Sequence, residues 1–365
     1  MTDRLNEVQK IINGYFDSVD SEAFGRFRAD FSFGKMLRSK LLLSIAPDSP
    51  TALKVCAIIE LIHFASLLHD DVIDSAHLRR GKQSINAKYG DKNAIMLGDI
   101  LYSKAFYEVA CIPCVGANLS QIISNAVFRL SLGELDDVFL GESINLDDKK
   151  YLKMVERKTG ALIEASAVCG GILKNNLSLD SSNLSLELHS ADFVESSLRG
   201  SLSDSENNEA IQKNKIDCHD SAFAESRNDE YILDSAINKY RIYGRNLGIA
   251  FQIIDDLLDI TQEDSTLGKE SFSDFKEGKT TLPYIYLYNA LNASDKEILK
   301  SYFKKSLDSS QKSWIRAKMG EFEIIQKVKN IAQDYGKMAL SVLDSSDESD
   351  KNLLKIITDM IDREF

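Results

Sequence analysis

Proline is scarce in this chain, at four residues in 365. No stretch alternates apolar and polar residues for long enough to propose a sheet. With few breakers, the abundant Leu, Ile, Ala, Lys and Glu favour helix. Cysteine is limited to Cys56, Cys111, Cys114, Cys169 and Cys218, an odd count in a large chain, so reduced thiols and a cytoplasmic location are expected. Cys111-Ile112-Pro113-Cys114 forms a CxxC, but no second pair or ligand-spaced histidine accompanies it, which disfavours zinc or redox use. Positive charge is in deficit. The formal net charge of −12 argues against a general nucleic-acid binder and leaves an anionic ligand open, because local Lys and Arg decide that. The opening MTDRLNEVQK has no basic segment followed by an apolar run, so no signal peptide is visible. The longest apolar helix carries Lys54, Glu60 and His63 and suits a core better than a membrane span. There is no P-loop, no GxGxxG, no HExxH and no evident nucleophile–base pair.

What is present is helical periodicity. It runs at about 3–18, 51–74, 92–111, 118–140 and 148–173, and again at about 230–262, 281–292, 295–306, 310–341 and 350–363. Asp and Ser recur near the starts, as N-caps should. From about 174 to 229 the chain turns to Ser, Asn, Asp and Glu, with patches such as SLSDSENNEA. This reads as a polar insertion, loop-like or disordered, within one domain spanning 1–365.

Two clusters read DDxxD: Asp70-Asp71-Val72-Ile73-Asp74 and Asp255-Asp256-Leu257-Leu258-Asp259. Chance alone supplies such a motif roughly 0.3 times in a chain of this composition, so context has to carry the weight. Both clusters close long apolar segments, Ala52–Leu68 and Leu247–Ile254. Carboxylates at the end of a buried helix repel one another and lose hydration. A divalent metal with a polyphosphate supplies the missing counter-charge. Cations flank both clusters. Gly34-Lys35-Met36-Leu37-Arg38 puts Lys35 and Arg38 on one side of a helical turn behind a glycine, a possible diphosphate cradle. Arg79-Arg80-Gly81-Lys82 follows the first cluster, and Lys158-Thr159-Gly160 sits in an apolar helix. Gly268-Lys269 and Gly278-Lys279 follow the second. Such a site suits a charged ligand whose diphosphate leaves with metal assistance.

Taken in order, GKMLR, LLHDDVIDSAHLRRGKQSIN, ERKTGAL, GIAFQIIDDLLDI and GKESFSDFKEGKTTLPYI resemble the trans-prenyltransferases, the polyprenyl diphosphate synthases. The resemblance covers the whole chain apart from the insertion. It implies an all-α fold, the isoprenoid synthase type of helical bundle around a deep cavity, usually homodimeric. It implies that Asp70 and Asp74, with Asp71 beside them, hold Mg²⁺ against an allylic diphosphate. Asp255, with Asp256 and Asp259, would hold Mg²⁺ from the opposite wall. Isopentenyl diphosphate would sit on Lys35, Arg38, His63 and Arg80. An allylic partner such as farnesyl diphosphate would be gripped by Arg79, Lys158, Thr159, Gln252, Lys269 and Lys279. Asp70, Asp74, Asp255, Lys158 and Lys269 would carry the catalysis: ionisation, condensation and loss of a proton to pyrophosphate, without a protein base. Glu270 stands where the family commonly has Asp.

The growing chain should run back from Asp70 along its own helix. Ser66 and Ala65, four and five residues earlier and about 6 to 7.5 Å away, are both small. Short-chain members of the family carry aromatic residues there as a floor. Phe128 and Leu132, ahead of Gly133-Glu134, are candidates for a deeper floor. The expected product is long, roughly six to ten isoprene units, of the kind that feeds quinone side chains, with peripheral membrane contact for its release. A farnesyl- or geranylgeranyl-length synthase, a class I terpene cyclase and a regulatory synthase subunit are the competing readings.

Overall fold

The computed structural model describes residues 1–141, 144, 147–175, 223–262, 271–344 and 346–361. Lys269, Glu270 and most of the polar segment at 174–229 lie outside them. The chain divides into one unit of Met1–Leu177 with Ala236–Phe365 and a second of Ser178–Ser235. In the second, only helical backbone from Phe223 onward is described.

The helices are α1 (Thr2–Asp17), α2 (Glu22–Gly25), α3 (Leu37–Ile45), α4 (Pro50–Ile73), α5 (Ile85–Tyr89), α6 (Asp91–Ala110), α7 (Gly116–Leu140), α8 (Asp148–Val155) and α9 (Ala161–Lys174). They continue as α10 (Phe223–Thr261), α11 (Ser273–Glu277), α12 (Leu282–Ala290), α13 (Ala293–Tyr302), α14 (Ser309–Glu321), α15 (Ile324–Leu340) and α16 (Glu348–Ile361). The protein is all-α. Among the described residues the only sheet is a hairpin pairing β1 (Leu78–Arg79) with β2 (Lys82–Gln83). Arg80 and Gly81 both take positive φ, at 54° and 75°, the demand of a tight two-residue hairpin loop. Two-residue strands are too short to leave an alternating signature.

Helix α4 is the axis of the bundle. Ser49 caps it by accepting from the Ala52 N–H at 3.1 Å, and Pro50 takes the first turn, where no N–H is needed. Its apolar residues cover every face, so it has no solvent stripe. Val55, Ile58, Ile59, Leu61 and Ile62 are fully buried, each stabilising by about 2 kcal/mol. Long and apolar enough to cross a membrane, α4 is instead enclosed by α1, α3, α6 and α9. A second core gathers α8, the lower half of α10 and α12 through α15.

Two expectations change. The periodic stretch at 310–341 is two helices, not one, because Glu323 adopts a left-handed φ of 54° between α14 and α15. Apolar residues on both sides of that turn face the same core, so periodicity alone hides it. Lys35 is not on a helix with Arg38. Met36 has a φ of 50° and serves as the N-cap, so α3 begins after Lys35 and carries Arg38 in its first turn.

Candidate active site

The end of α4 forms the first wall. Asp71 is buried and anchored: Arg79 reaches its Oδ1 from Nε at 2.7 Å and Nη2 at 2.6 Å. Asp74 accepts from Lys279 Nζ at 2.6 Å. Asp70 is half-buried, and burial, then Glu134 and Asp74, push its carboxyl up to about 7 against the pull of Lys158 and Arg79. That excess negative charge lies beside an open cleft.

Lys158 owes its position to a backbone irregularity. Between α8 and α9, Glu156–Gly160 forms one turn of π-helix, a bulge that re-aims side chains by widening the turn. Lys158 Nζ meets Asp137 at 2.7 Å and Glu134 at 2.8 Å, both from α7. Burial opposes its charge, but Asp137 and Glu134 outweigh that and keep the ammonium protonated. The bulge needs Gly133 beneath it, because a Cβ there would sit 2.3 Å from the Lys158 backbone nitrogen. Gly133→Ala is therefore expected to displace α7 from the bulge at a cost of about 1–3 kcal/mol. Melting temperature and kcat should fall together, whereas Gly14→Ala, in α1 with open space at its Cβ, serves as the control that holds or gains up to about 1 kcal/mol of stability. A Gly133→Ala protein matching wild type in both measurements would refute this.

The second wall comes from α10. Thr159 Oγ1 donates to Gln252 Oε1 at 2.7 Å, and Gln252 Nε2 donates to Asp256 Oδ1 at 2.8 Å. The buried Tyr151 hydroxyl donates to the other oxygen of Asp256. Burial, then Asp274, hold Asp256 well above the usual carboxylate range. Asp259 is buried and accepts from Ser273 Oγ at 2.8 Å and the Asp274 N–H at 3.3 Å, fixing the start of α11. Asp255 alone of this triplet is exposed. Lys279, past the positive-φ Gly278, reaches back across to Asp74. The flank of the second cluster is thus tied to the first through Lys279–Asp74 and to the π-turn through Gln252–Thr159.

Arg38 and Arg80, among the remaining predicted cations, both lie near Glu60 and His63. Arg80 Nη1 donates to Ser32 O at 2.6 Å. Lys35 is exposed, and Arg38 is half-buried, its guanidinium pulled down to about 10 by burial against Glu60 and Asp70. His63 shares a small cleft with Gly34 and Arg80. Burial, then Arg38, Arg80 and Arg79, push it well below its ordinary value, so it is a neutral hydrogen-bonding group and not a further cation.

An apolar cleft of about 250 Å³ opens beside Asp70. Ser66, His69 and Ile73 of α4 line one side, Tyr102 of α6 closes it, and Leu130, Ser131, Glu134, Leu135 and Val138 of α7 line the other. Of the chain-length residues expected from sequence, only Ser66 is in this lining. Ala65 is fully buried away from it, and Leu132 is turned off the lining stripe of α7. Phe128 stands on that stripe, one turn beyond Ser131, where it is 55% exposed. The missed residues are Tyr102, Tyr151 and the pair Glu134 and Asp137. The last pair was legible, being two carboxylates three apart on a helix face; the tyrosines carried no local signal.

The donor set fits a hard divalent cation. Among the described residues, no three His, Cys, Asp or Glu side chains already converge as a cage. However, Glu134 is buried and its Oε1 has no hydrogen-bond partner, while burial and the nearby Glu134 and Asp74 raise the Asp70 carboxyl. Both are oxygen donors of the kind Mg²⁺ takes.

The site thus sets carboxylates and cations beside an apolar cleft on an all-helical bundle. The chain belongs to the polyprenyl synthetase family, whose model matches residues 29–187 and 224–319. It is a prenyltransferase of isoprenoid biosynthesis. It is 37% identical to the octaprenyl pyrophosphate synthase structure from Helicobacter pylori, with TM-score 0.78 and all of both chains covered. The geranylgeranyl pyrophosphate synthetase structure from Pyrococcus horikoshii is 25% identical, with TM-score 0.75, over 99% of this chain and 97% of the other. The geranylgeranyl diphosphate synthase of Saccharolobus solfataricus is 26% identical over 363 residues, 96% of this chain and 90% of that one.

Proposed function

We propose that this protein is a long-chain trans-polyprenyl diphosphate synthase, adding isopentenyl diphosphate repeatedly to an allylic diphosphate such as farnesyl diphosphate. The observation that carries the reading is the apolar cleft that starts at Asp70, between carboxylates and a set of converging cations. Asp70, Asp74 and Asp255 would hold Mg²⁺, which when bound neutralises the departing diphosphate and favours its loss. Asp71, Asp256 and Asp259 support them through Arg79, Tyr151 with Gln252, and Ser273. Arg79, Lys158 and Lys279, with Thr159, Gln252 and Lys269, hold the allylic diphosphate. Lys35, Arg38 and Arg80 hold the isopentenyl diphosphate, and neutral His63 adds a hydrogen bond. Leu130 supplies a buried apolar wall, and Ile73, Leu135 and Val138 would shield the allylic cation from water once this exposed face is covered in a homodimer.

Similarity to the H. pylori octaprenyl synthase, higher than to the geranylgeranyl synthases, supports long products, as does the small Ser66 on the cleft wall. A geranylgeranyl-length product is the second reading, favoured by Tyr102 across the cleft and by those relatives. The exposed Phe128, Leu135, Val138 and Phe139 of α7, with Ile95 and Met96 of α6, support a homodimer formed through this face. A cytoplasmic location accords with the free thiols of Cys56, Cys111, Cys114 and Cys169. Peripheral membrane contact would serve release of so apolar a product. Purified protein with Mg²⁺, farnesyl diphosphate and labelled isopentenyl diphosphate tests the proposal. Products of about six or more isoprene units are expected; products ending at geranylgeranyl length select the second reading, and no isopentenyl-dependent turnover rejects both.

A further inference from the structure

Glu60 belongs to no part of the machinery described above, yet it lies beneath the cations assigned to isopentenyl diphosphate. It sits on α4 one turn before His63, is 2% exposed, and shares a small cleft with Gly34, His63 and Arg80. A buried carboxylate is costly unless it is bonded and opposed by charge. Here Oε1 accepts from the Ser39 N–H at 3.1 Å and from Ser39 Oγ at 2.8 Å. Burial pushes its carboxyl up, and the nearby Arg38 of α3 and Arg80 of the hairpin, which shares its small cleft, pull it back down.

Its bonding has a structural reason. The N-cap of α3 is Met36, whose side chain cannot accept the early N–H groups of that helix. Glu60 supplies the missing cap from a neighbouring helix, and the capped residue is next to Arg38. The segment leading into α3 is pinned to the same part of α4 by Phe31 and Phe33, whose rings lie 5.2 and 5.1 Å from that of Phe64. Arg80 is fitted just as closely, since a Cβ on Gly34 would fall 2.3 Å from its Nη2.

We infer that Glu60 is a positioning residue for the second substrate, holding Arg38 through the start of α3 and opposing the charge of Arg38 and Arg80 so that they stay together when no diphosphate is bound. This rests on the assignment of that cation group to isopentenyl diphosphate. A negative charge so near an anionic ligand makes the sign of the test informative. If Glu60 only penalised the site, neutralising it would tighten binding. If it organises the site, neutralising it weakens binding.

Glu60→Gln keeps an oxygen acceptor for Ser39 and removes the charge. The expected result is a rise of about tenfold in KM for isopentenyl diphosphate, with KM for farnesyl diphosphate and kcat within about twofold of wild type. Ser39→Ala, which removes one of the two bonds, should shift the same KM in the same direction by less. Calorimetric titration of isopentenyl diphosphate into both proteins without allylic substrate gives a readout independent of turnover. Weaker binding to Glu60→Gln supports the inference even if wild type forms no product, a result that would fell the synthase reading alone. Unchanged or tighter binding overturns it, as does an equal change in both KM values accompanied by a lower melting temperature.

Discussion

Ser66→Phe is expected to cut the product to about four isoprene units or fewer while leaving the first condensation within a few-fold of wild type. Ser66 lines the cleft four residues before Asp70, about 6 Å along the helix axis. A phenyl ring there would take up much of the 250 Å³ available. Tyr102 provides the converse. Its ring lies 5.6 Å from that of His69, and Phe106 stacks behind it at 6.5 Å. Tyr102→Ala should lengthen the product distribution, and Tyr102→Phe, which keeps the ring, should not. Ala65→Phe separates cleft from core. Ala65 is fully buried and outside the lining, so the larger side chain should cost about 1–3 kcal/mol of stability in place of a defined shorter product. Chain-length analysis of the four variants decides the matter. A shortened product from Ala65→Phe with an unchanged product from Ser66→Phe would mean that the growing chain follows another face of α4.

Why Ser66 was legible and Tyr102 was not follows from what a sequence encodes locally. A small residue one turn from an acidic motif on the same helix is a relation of spacing, and helical spacing is fixed. Tyr102 reaches the cleft only because α6 crosses α4 with His69 against Gly98, where a Cβ would fall 2.3 Å from the imidazole. The same division holds elsewhere. Both acidic clusters and their apolar helices could be read directly, because apolar runs, short motifs and capping residues are local. The π-turn that aims Lys158 could not, since one extra residue in a turn leaves the composition of the helix unchanged. Nor could the unequal use of the aspartates, which depends on partners 8 to 205 residues away: Arg79 for Asp71, Tyr151 for Asp256 and Lys279 for Asp74.

That inequality gives the second large effect. Asp70→Ala and Asp255→Ala are each expected to lower kcat by about 10³, the scale of losing one group that stabilises a leaving anion, with melting temperatures close to wild type. Asp70 is already resisted by burial and by Glu134, so its removal relieves repulsion in the metal-free fold. Asp255 is exposed. Asp71→Ala and Asp256→Ala should behave differently. The first strips Arg79 of a carboxylate held at 2.6 and 2.7 Å, and the second strands the Tyr151 hydroxyl and the Gln252 amide in a buried position. Each should cost about 2 kcal/mol of stability, a loss visible in a denaturant midpoint before any assay is run. Magnesium titration by calorimetry in the presence of a non-reacting diphosphate completes the comparison. Affinity should collapse for Asp70→Ala and Asp255→Ala and persist, in whatever fraction remains folded, for the other two. If Asp71→Ala lost magnesium affinity with no change in midpoint, Asp71 would itself be a ligand and Arg79 only its placeholder.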